Sequence, residues 1–211
     1  MSFIKLFSKL PIDLGQGEYK HKTKGKLIAF SHIPNPDIGA TALDVGCGDG
    51  YWSKRIQQIG YNVSSIDQER TYPNIDSSQR YENMVPADLN RSLPYKDNSF
   101  DLVWCTEVIE HLSNYKQTIH EIERILKPNG IYIITTPNSF FWLHYLLKIF
   151  GISNKEWQNK GHVNFFRLSD IRYIFPKAQV FGYFPYTLIR AKIKSCIGFL
   201  SPSFVIVGKK Q

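Results

Sequence analysis

The strongest constraint on the fold is a glycine-rich turn over residues 44–50, with the pattern D-x-G-x-G-x-G between an apolar segment and a predicted helix over 51–58. Glycines in such a turn let the backbone approach a ligand closely, because no Cβ stands in the way. The helix N-terminus offers free N–H groups to a ligand. The dinucleotide fingerprint G-x-G-x-x-G would need a glycine where this chain has Tyr51. Asp44 ahead of the glycines would repel a pyrophosphate and instead suits a ligand with an amino group.

Apolar segments alternate with predicted helices along the first two thirds of the chain. This alternation implies parallel β-α-β units, with ligands bound at the carboxyl ends of the strands. The second strand ends at Asp67, 17 residues after Gly50, where dinucleotide-type folds place an acidic residue on ribose hydroxyls. The sequence predicts strands over 40–45, 60–66, 84–89, within 93–105 and over 131–136, and helices over 51–58 and 119–126.

These segments, in this order, resemble the class I S-adenosylmethionine-dependent methyltransferases, and in particular the small-molecule and ubiquinone-pathway enzymes. The resemblance rests on residues 43–50, 65–67, 87–88, 93–112 and 121–138, and residues 204–210 resemble the last strand of the family. It implies one α/β domain over 1–211. The expected architecture is a doubly wound, Rossmann-like sheet of seven strands, mostly parallel with the last strand antiparallel. A helical cover over 1–30 and a substrate-side insertion or cap over 139–195 are expected around it.

The resemblance also implies S-adenosylmethionine as the cofactor. Its methionine part would lie around Asp44 and the glycine turn, and its ribose hydroxyls would bind Asp67. Asp88 would take the adenine amino group, and Thr106 would lie beside the sulfonium. The implied cofactor-binding residues are Asp44, Gly46, Cys47, Gly48, Gly50, Asp67, Gln68, Asp88, Leu89 and Thr106.

The residues that follow the fourth strand carry the candidate chemistry. Glu107 and Glu110 stand three residues apart with His111 adjacent, and His162 follows later in the chain. Two carboxylates and two imidazoles could together bind Mg²⁺ or another divalent metal. The E-x-x-E-H pattern with a distal histidine resembles the ubiquinone-pathway catechol O-methyltransferases and the small-RNA 3′-end 2′-O-methyltransferases. Three readings stay open: a metal site, a metal-free histidine base, or positioning alone.

Positive charge is concentrated in the last third of the chain. Residues 140–211 contain 11 basic and 2 acidic residues, against 15 and 16 in residues 1–139. This excess predicts either a solvated basic face or contact with an anionic partner such as RNA, a phosphorylated molecule or a membrane surface. Residues 139–151 are almost wholly apolar but too few to span a bilayer. They predict a helix that packs on the body, covers an apolar substrate or, as the least favoured alternative, contacts a membrane interface.

Composition limits the setting of the protein. The three cysteines show no metal or redox spacing, which favours a reduced, cytoplasmic environment. The apolar residues near the N-terminus form a segment too short and interrupted for a signal or spanning helix. No sequence feature specifies an oligomeric state.

The sequence thus predicts an enzyme that methylates an oxygen of a small or lipid-like acceptor. The first alternative is 2′-O-methylation of an RNA 3′ end. The second is a catalytically silent cofactor-binding scaffold, which the intact turn and Asp67 disfavour.

Overall fold

A computed structural model describes residues 13, 23–68, 84–149, 151, 161–185 and 192–211. Of the helical cover expected over 1–30, residues 1–12 and 14–22, which include the apolar segment near the N-terminus, lie outside the described residues. The described elements, in chain order, are α1 (Lys24–Phe30), β1 (Thr41–Val45), α2 (Tyr51–Gln58), β2 (Asn62–Asp67), β3 (Met84–Pro86), β4 (Phe100–Thr106), a 3₁₀ turn (Ile109–His111), α3 (Tyr115–Ile125), β5 (Leu126–Pro137), α4 (Trp142–Ile149), α5 (Leu168–Ile174), β6 (Gln179–Tyr183), β7 (Lys192–Ile193), α6 (Ile197–Leu200) and β8 (Ser203–Lys209).

The strands form one mixed sheet in the order β3-β2-β1-β4-β5-β8-β6-β7. The first five strands of this order pair in parallel, and β8 pairs antiparallel with both β5 and β6. The expected doubly wound, mostly parallel fold with an antiparallel last strand is confirmed. The described sheet has eight strands where seven were expected, because the two-residue strand β7 adds to the edge of β6.

Two apolar clusters cover the two faces of the sheet. Side chains alternate along β4, so Leu102 and Trp104 face one way while Val103 and Cys105 face the other, and all four are fully buried. The first pair packs with Trp52 of α2. The second pair of β4 residues packs with α3, which contributes the buried apolar residues Ile119, Ile122 and Ile125.

Helix α3, predicted over 119–126, spans Tyr115–Ile125 and so begins four residues earlier than predicted. Helix α2 spans the residues predicted for it. Strand β5, predicted to begin at Ile131, begins at Leu126 directly after α3, since Leu126 pairs with Phe100 of β4 before a register shift. This pairing is made with a distant segment and leaves no local pattern in the sequence.

The segment 139–195, expected as a cap, also supplies part of the sheet. Strand β6 pairs with β8, and its residues Phe181 and Tyr183 are buried. These contacts place β6 in the sheet layer. Helix α4 has exposed apolar side chains at Tyr145, Leu146 and Ile149. In the described parts of the chain, no helix combines the length and the hydropathy needed to cross a membrane.

Candidate functional site

The glycine turn joins β1 to α2 and adopts a conformation that favours glycine. Gly46, Gly48 and Gly50 have φ values of +73°, +55° and +74°, a region that side-chain-bearing residues rarely adopt. The N–H groups of Gly46 and Cys47 donate to the carbonyl of Ile66, at 2.8 and 3.1 Å. The turn is therefore fastened to the end of β2 through its backbone.

Asp44 lies at the end of β1, directly before the turn. Its carboxylate Oδ2 accepts a hydrogen bond of 2.6 Å from the Ser53 hydroxyl, which in turn accepts one of 2.9 Å from the Ser65 hydroxyl. All three side chains are buried. Burial raises the pKa of Asp44 to about 7, although the hydrogen bond from Ser53 acts in the opposite direction. Asp44 is thus a buried carboxyl group beside the turn, held by hydroxyl donors.

Asp67 ends β2 and reaches across to the turn. One carboxylate oxygen accepts a hydrogen bond of 2.7 Å from the Gly48 N–H, and the other accepts one of 2.6 Å from the Gln68 N–H. These bonds fix the carboxylate at the carboxyl edge of the sheet next to the glycines. The sequence-predicted neighbours Asp44, Asp67 and Gln68 are therefore brought together.

The remaining expected cofactor residues lie along the same edge. The Ala87 N–H donates to the Asp67 carbonyl at 2.9 Å, which places Asp88 beside Asp67. The Asp88 carboxylate is exposed, and hydrogen bonds from the Asn90 backbone and side chain lower its pKa. Leu89 is buried in the core, and Thr106 ends β4 with its side chain buried.

These residues fit the adenosyl cofactor that the sequence suggested. A Cβ on Gly46 would lie 2.4 Å from Cγ2 of Val108, so the close approach of the turn to the residues after β4 depends on glycine. Two ionisable carboxyl groups, Asp44 and Asp67, lie close enough for the charge of Asp67 to raise the pKa of Asp44. A ligand carrying an amino group and a sulfonium would neutralise that repulsion, whereas a phosphate would increase it.

Glu107 follows β4 in an unusual backbone conformation. Its φ is +57°, which is uncommon for a residue other than glycine and often marks functional sites. Its N–H donates a hydrogen bond of 3.0 Å to the Thr135 carbonyl, and its carboxylate accepts one of 2.9 Å from the Thr135 hydroxyl. Burial raises the pKa of Glu107.

Glu110 lies in the 3₁₀ turn and is 1% exposed. One carboxylate oxygen accepts a hydrogen bond of 3.0 Å from the Thr136 hydroxyl. The other oxygen, Oε1, is buried and accepts no hydrogen bond from a donor among the described residues. Burial, and then the charge of Glu107, raise the pKa of Glu110 well above its usual range. The raised pKa favours the protonated carboxyl, and a hydrogen bond from Glu110 to Glu107 lowers the pKa of Glu107. When Glu110 is ionised, its buried oxygen carries a large desolvation penalty unless a ligand or cation satisfies it.

The loop over 161–164 is docked onto the 3₁₀ turn. The N–H groups of Val163 and Asn164 both donate to the Glu110 carbonyl, at 2.9 and 3.0 Å. The Asn164 side chain donates to the carbonyls of Ile109 and Leu112, at 3.0 and 2.7 Å. Because these bonds are made to backbone carbonyls on both sides of Glu110, they hold the loop in a fixed register over the turn.

This docking brings His162 onto His111. The ring centroids are 4.7 Å apart at an angle of 71°. His111 Nδ1 lies 2.9 Å from the Gly161 carbonyl, and since a carbonyl only accepts, Nδ1 carries the proton and Nε2 has the lone pair of the neutral ring. Burial and the proximity of His111 lower the pKa of His162 to about 4, so that ring is neutral at pH 7.

Three of the four predicted catalytic residues form a compact group. Ligand atoms of Glu110, His111 and His162 all lie within 4.8 Å of one another. Glu107 is linked to this group through its effect on the pKa of Glu110, while its own carboxylate is bonded to Thr135. His111 and His162, which are 51 positions apart in the chain, are therefore close together in the structure.

Sequence reasoning missed the residues that support the site. Consecutive threonines, Thr135 and Thr136, point to opposite faces of β5, which directs one hydroxyl to Glu107 and the other to Glu110. Two adjacent threonines at the end of an apolar strand are a signal that could have been read. Ser53, Ser65 and Asn164 act through contacts that no local pattern reveals.

The comparisons with known proteins agree with this geometry. Residues 43–134 match a family model described as a methyltransferase domain. A ubiquinone biosynthesis O-methyltransferase of Rickettsia conorii is 39% identical over 114 residues, covering 52% of this chain and 39% of that protein. A probable S-adenosylmethionine-dependent methyltransferase of Mycolicibacterium smegmatis is 29% identical over 119 residues, covering 53% and 43%. The match thus spans less than half the length of these relatives.

A solved structure shares the fold over nearly the whole chain. The SAM-dependent methyltransferase from Archaeoglobus fulgidus superposes with a TM-score of 0.67 at 17% identity, covering 99% of this chain and 100% of that one. At this identity the similarity establishes the architecture.

Proposed function

We propose that this chain, whose residues 43–134 match a methyltransferase domain model, is a class I S-adenosylmethionine-dependent methyltransferase that transfers the methyl group of that cofactor to an oxygen of a small or lipid-like acceptor. One observation carries the proposal: Glu110, His111 and His162 converge within 4.8 Å, directly after the strand that ends beside the cofactor turn. The E-x-x-E-H sequence around Glu110 supports the oxygen acceptor.

Methyl transfer from a sulfonium requires in-line alignment and exclusion of water more than it requires activation of the donor. An oxygen nucleophile must in addition lose its proton. The neutral His162 ring can accept that proton at neutral pH, because its pKa is lowered to about 4. Such a base is already deprotonated at neutral pH. Because it is a weak base, a second group must polarise the acceptor oxygen and make its proton easier to remove.

The cluster fits a divalent cation as that second group. Glu110 Oε1 is buried and accepts no hydrogen bond from a donor in the described parts of the chain. His111 donates Nδ1–H to a backbone carbonyl, as histidines that bind metals commonly do. The cation would be held by Glu110 and His111, with Glu107 adding negative charge, so that His162 keeps its lone pair for the acceptor proton. A bound cation would lower the pKa of an acceptor hydroxyl. The residues themselves hold the site in place through Asn164 and Thr136.

The exposed apolar residues of α4 support an apolar acceptor. The Ser139 N–H donates to the Phe166 carbonyl at 3.2 Å, so α4 begins close to the loop that carries His162. Helix α4 presents exposed apolar residues, with Tyr145 57% and Ile149 79% exposed. An apolar surface beside a polar cluster suits an aromatic or lipid-like acceptor with a reacting hydroxyl. The relative named for ubiquinone biosynthesis supports the same class.

The test is production of S-adenosylhomocysteine from S-adenosylmethionine with an alkyl-substituted catechol, with and without Mg²⁺ or a chelator. Glu110→Gln and His111→Ala are expected to reduce turnover by about a hundredfold while cofactor binding is retained. His120→Ala is the matched control, because His120 is 74% exposed on α3. Turnover that is unaffected by both site variants would contradict the proposed role of the cluster.

Methylation of an RNA 3′ end is the second candidate, favoured by the same cluster and by the basic residues of 140–211. A single-stranded RNA with a terminal vicinal diol would then be methylated, and the same RNA ending in a 2′-deoxy nucleotide would not. Its binding would weaken steeply with salt. Methylation of RNA in preference to the catechol would replace the first proposal.

A further inference from the structure

The hydroxyl chain from Ser65 through Ser53 to Asp44 joins three elements around the cofactor turn. Asp44 and Ser65 are register partners on the parallel strands β1 and β2, and Ser53 lies in the first turn of α2. The two bonds measure 2.9 and 2.6 Å. Ser53 and Ser65 are fully buried, and Asp44 is 2% exposed.

When Asp44 is ionised, the direction of the hydrogen-bond chain has one consistent assignment. An ionised carboxylate only accepts, so Ser53 donates its single hydroxyl proton to Asp44. Ser53 then accepts from Ser65. Hydrogen bonds arranged head to tail polarise one another, which strengthens the final bond to the carboxylate. Donation from the Ser53 hydroxyl to Oδ2, together with the hydrogen bond from the Ser53 backbone, restricts the rotation of the carboxylate and therefore the direction of Oδ1.

We infer that Ser53 and Ser65 are positioning residues that orient the Asp44 carboxylate toward the amino group of the methionine part of the cofactor. The inference rests on the proposed function, since it assigns these serines to the amino-acid end of the adenosyl ligand. They act through Asp44 and do not touch the reacting atoms. Neither serine was expected to take part from the sequence.

The charges around Asp44 determine how its affinity for an amino group depends on pH. Asp67 of β2 repels the ionised form and Lys26 of α1 favours it. The thiols of Cys47 and Cys105 also face Asp44, and burial raises the pKa of each, so they remain neutral. The Ser53 hydrogen bond lowers the pKa of Asp44. Its removal would make the carboxyl harder to ionise and shift ligand binding to higher pH.

The experiment compares two ligands by calorimetry on the full chain. S-adenosylhomocysteine has the amino-acid end, and 5′-methylthioadenosine lacks it while keeping the adenosine and sulfur. Ser53→Ala is expected to weaken binding of S-adenosylhomocysteine about tenfold and to leave 5′-methylthioadenosine within about twofold. Ser65→Ala should show the same selectivity with a smaller loss, about threefold. Ser53→Thr retains the hydroxyl and should recover most of the affinity.

A pH series supplies a readout that loss of packing would not produce. The acidic limb of S-adenosylhomocysteine binding should move to higher pH in Ser53→Ala, since the hydrogen bond from Ser53 lowers the pKa of Asp44. Methylthioadenosine binding should stay flat with pH. Equal losses for both ligands, or an unmoved limb, would overturn the inference. If Ser53→Ala does not fold, the same comparison with Ser65→Ala decides. Failure of the wild-type chain to bind either ligand would instead refute the proposed function.

Discussion

Replacing Gly46 by alanine is expected to destabilise the fold in two ways, through the backbone conformation of the turn and through a steric clash of the new Cβ. Gly46 has φ +73°, and an L-residue with left-handed backbone costs roughly 1–2 kcal/mol. The added Cβ would also lie 2.4 Å from Cγ2 of Val108, and overpacking of this kind costs about 1–3 kcal/mol. Gly46→Ala is therefore expected to lower the free energy of unfolding by roughly 2–5 kcal/mol.

Two matched variants isolate the terms. Gly39 has φ +81°, and none of the described atoms lies within 4 Å of its built Cβ, so Gly39→Ala carries the backbone cost alone. Val108→Ala removes the clashing methyl groups and leaves Cβ of residue 108 at 3.5 Å, an ordinary contact. In that background Gly46→Ala should cost only about 1–2 kcal/mol.

Urea unfolding followed by tryptophan fluorescence measures the free energy of unfolding of the wild type and of the four variants. The comparison requires that the slope of this free energy with denaturant is the same in all of them. The double-mutant cycle should give a coupling energy of about 1–3 kcal/mol between positions 46 and 108. Equal costs of Gly46→Ala in the two backgrounds would refute the steric reasoning. So would a cost in the wild-type background no larger than that of Gly39→Ala.

Three further outcomes are expected. Asp67→Asn should weaken S-adenosylhomocysteine binding about tenfold in calorimetry, because a charged acceptor for ribose hydroxyls is lost; unchanged affinity would remove Asp67 from the site. At pH 8 iodoacetamide should modify the exposed Cys196 and spare Cys47, which is buried and whose pKa is raised by that burial; peptide mass mapping decides. Glu121→Gln should cost about 1–3 kcal/mol at pH 7 in urea unfolding. The Arg124 hydrogen bond lowers the pKa of Glu121 in the folded state, so the ionised group stabilises the fold above its unfolded pKa, and the difference should shrink as the pH falls below 4.

The parts of the fold that local patterns encode were predictable from the sequence. Helix α2 was predicted with its observed bounds, since Gly50 marks its start and its apolar residues repeat with helical spacing. The early start of β5 at Leu126 was not predictable, because it depends on pairing with Phe100. Strand β7 has two residues and exists through its pairing with β6.

The candidate site divides in the same way. The resemblance nominated His162, but the reason it meets His111 lies in the hydrogen bonds of Asn164 to carbonyls on either side of Glu110. Ser53 and Ser65 were missed because their link to Asp44 follows from the register of two parallel strands. The residue types in the sequence indicated which chemical groups the site contains. Their relative positions depend on contacts between residues that are distant in the chain.

The docked loop has a consequence for how this protein could diversify. The turn and strand ends assigned to the cofactor are complete by Thr106, whereas His162 arrives with a segment that enters after β5. That segment is fastened to the 3₁₀ turn mainly through backbone groups and one asparagine side chain. Neighbouring positions such as the exposed Val163 are thus free to vary. Exchange of residues between β5 and α5 could change the accepted molecule across a lineage while donor binding is inherited intact.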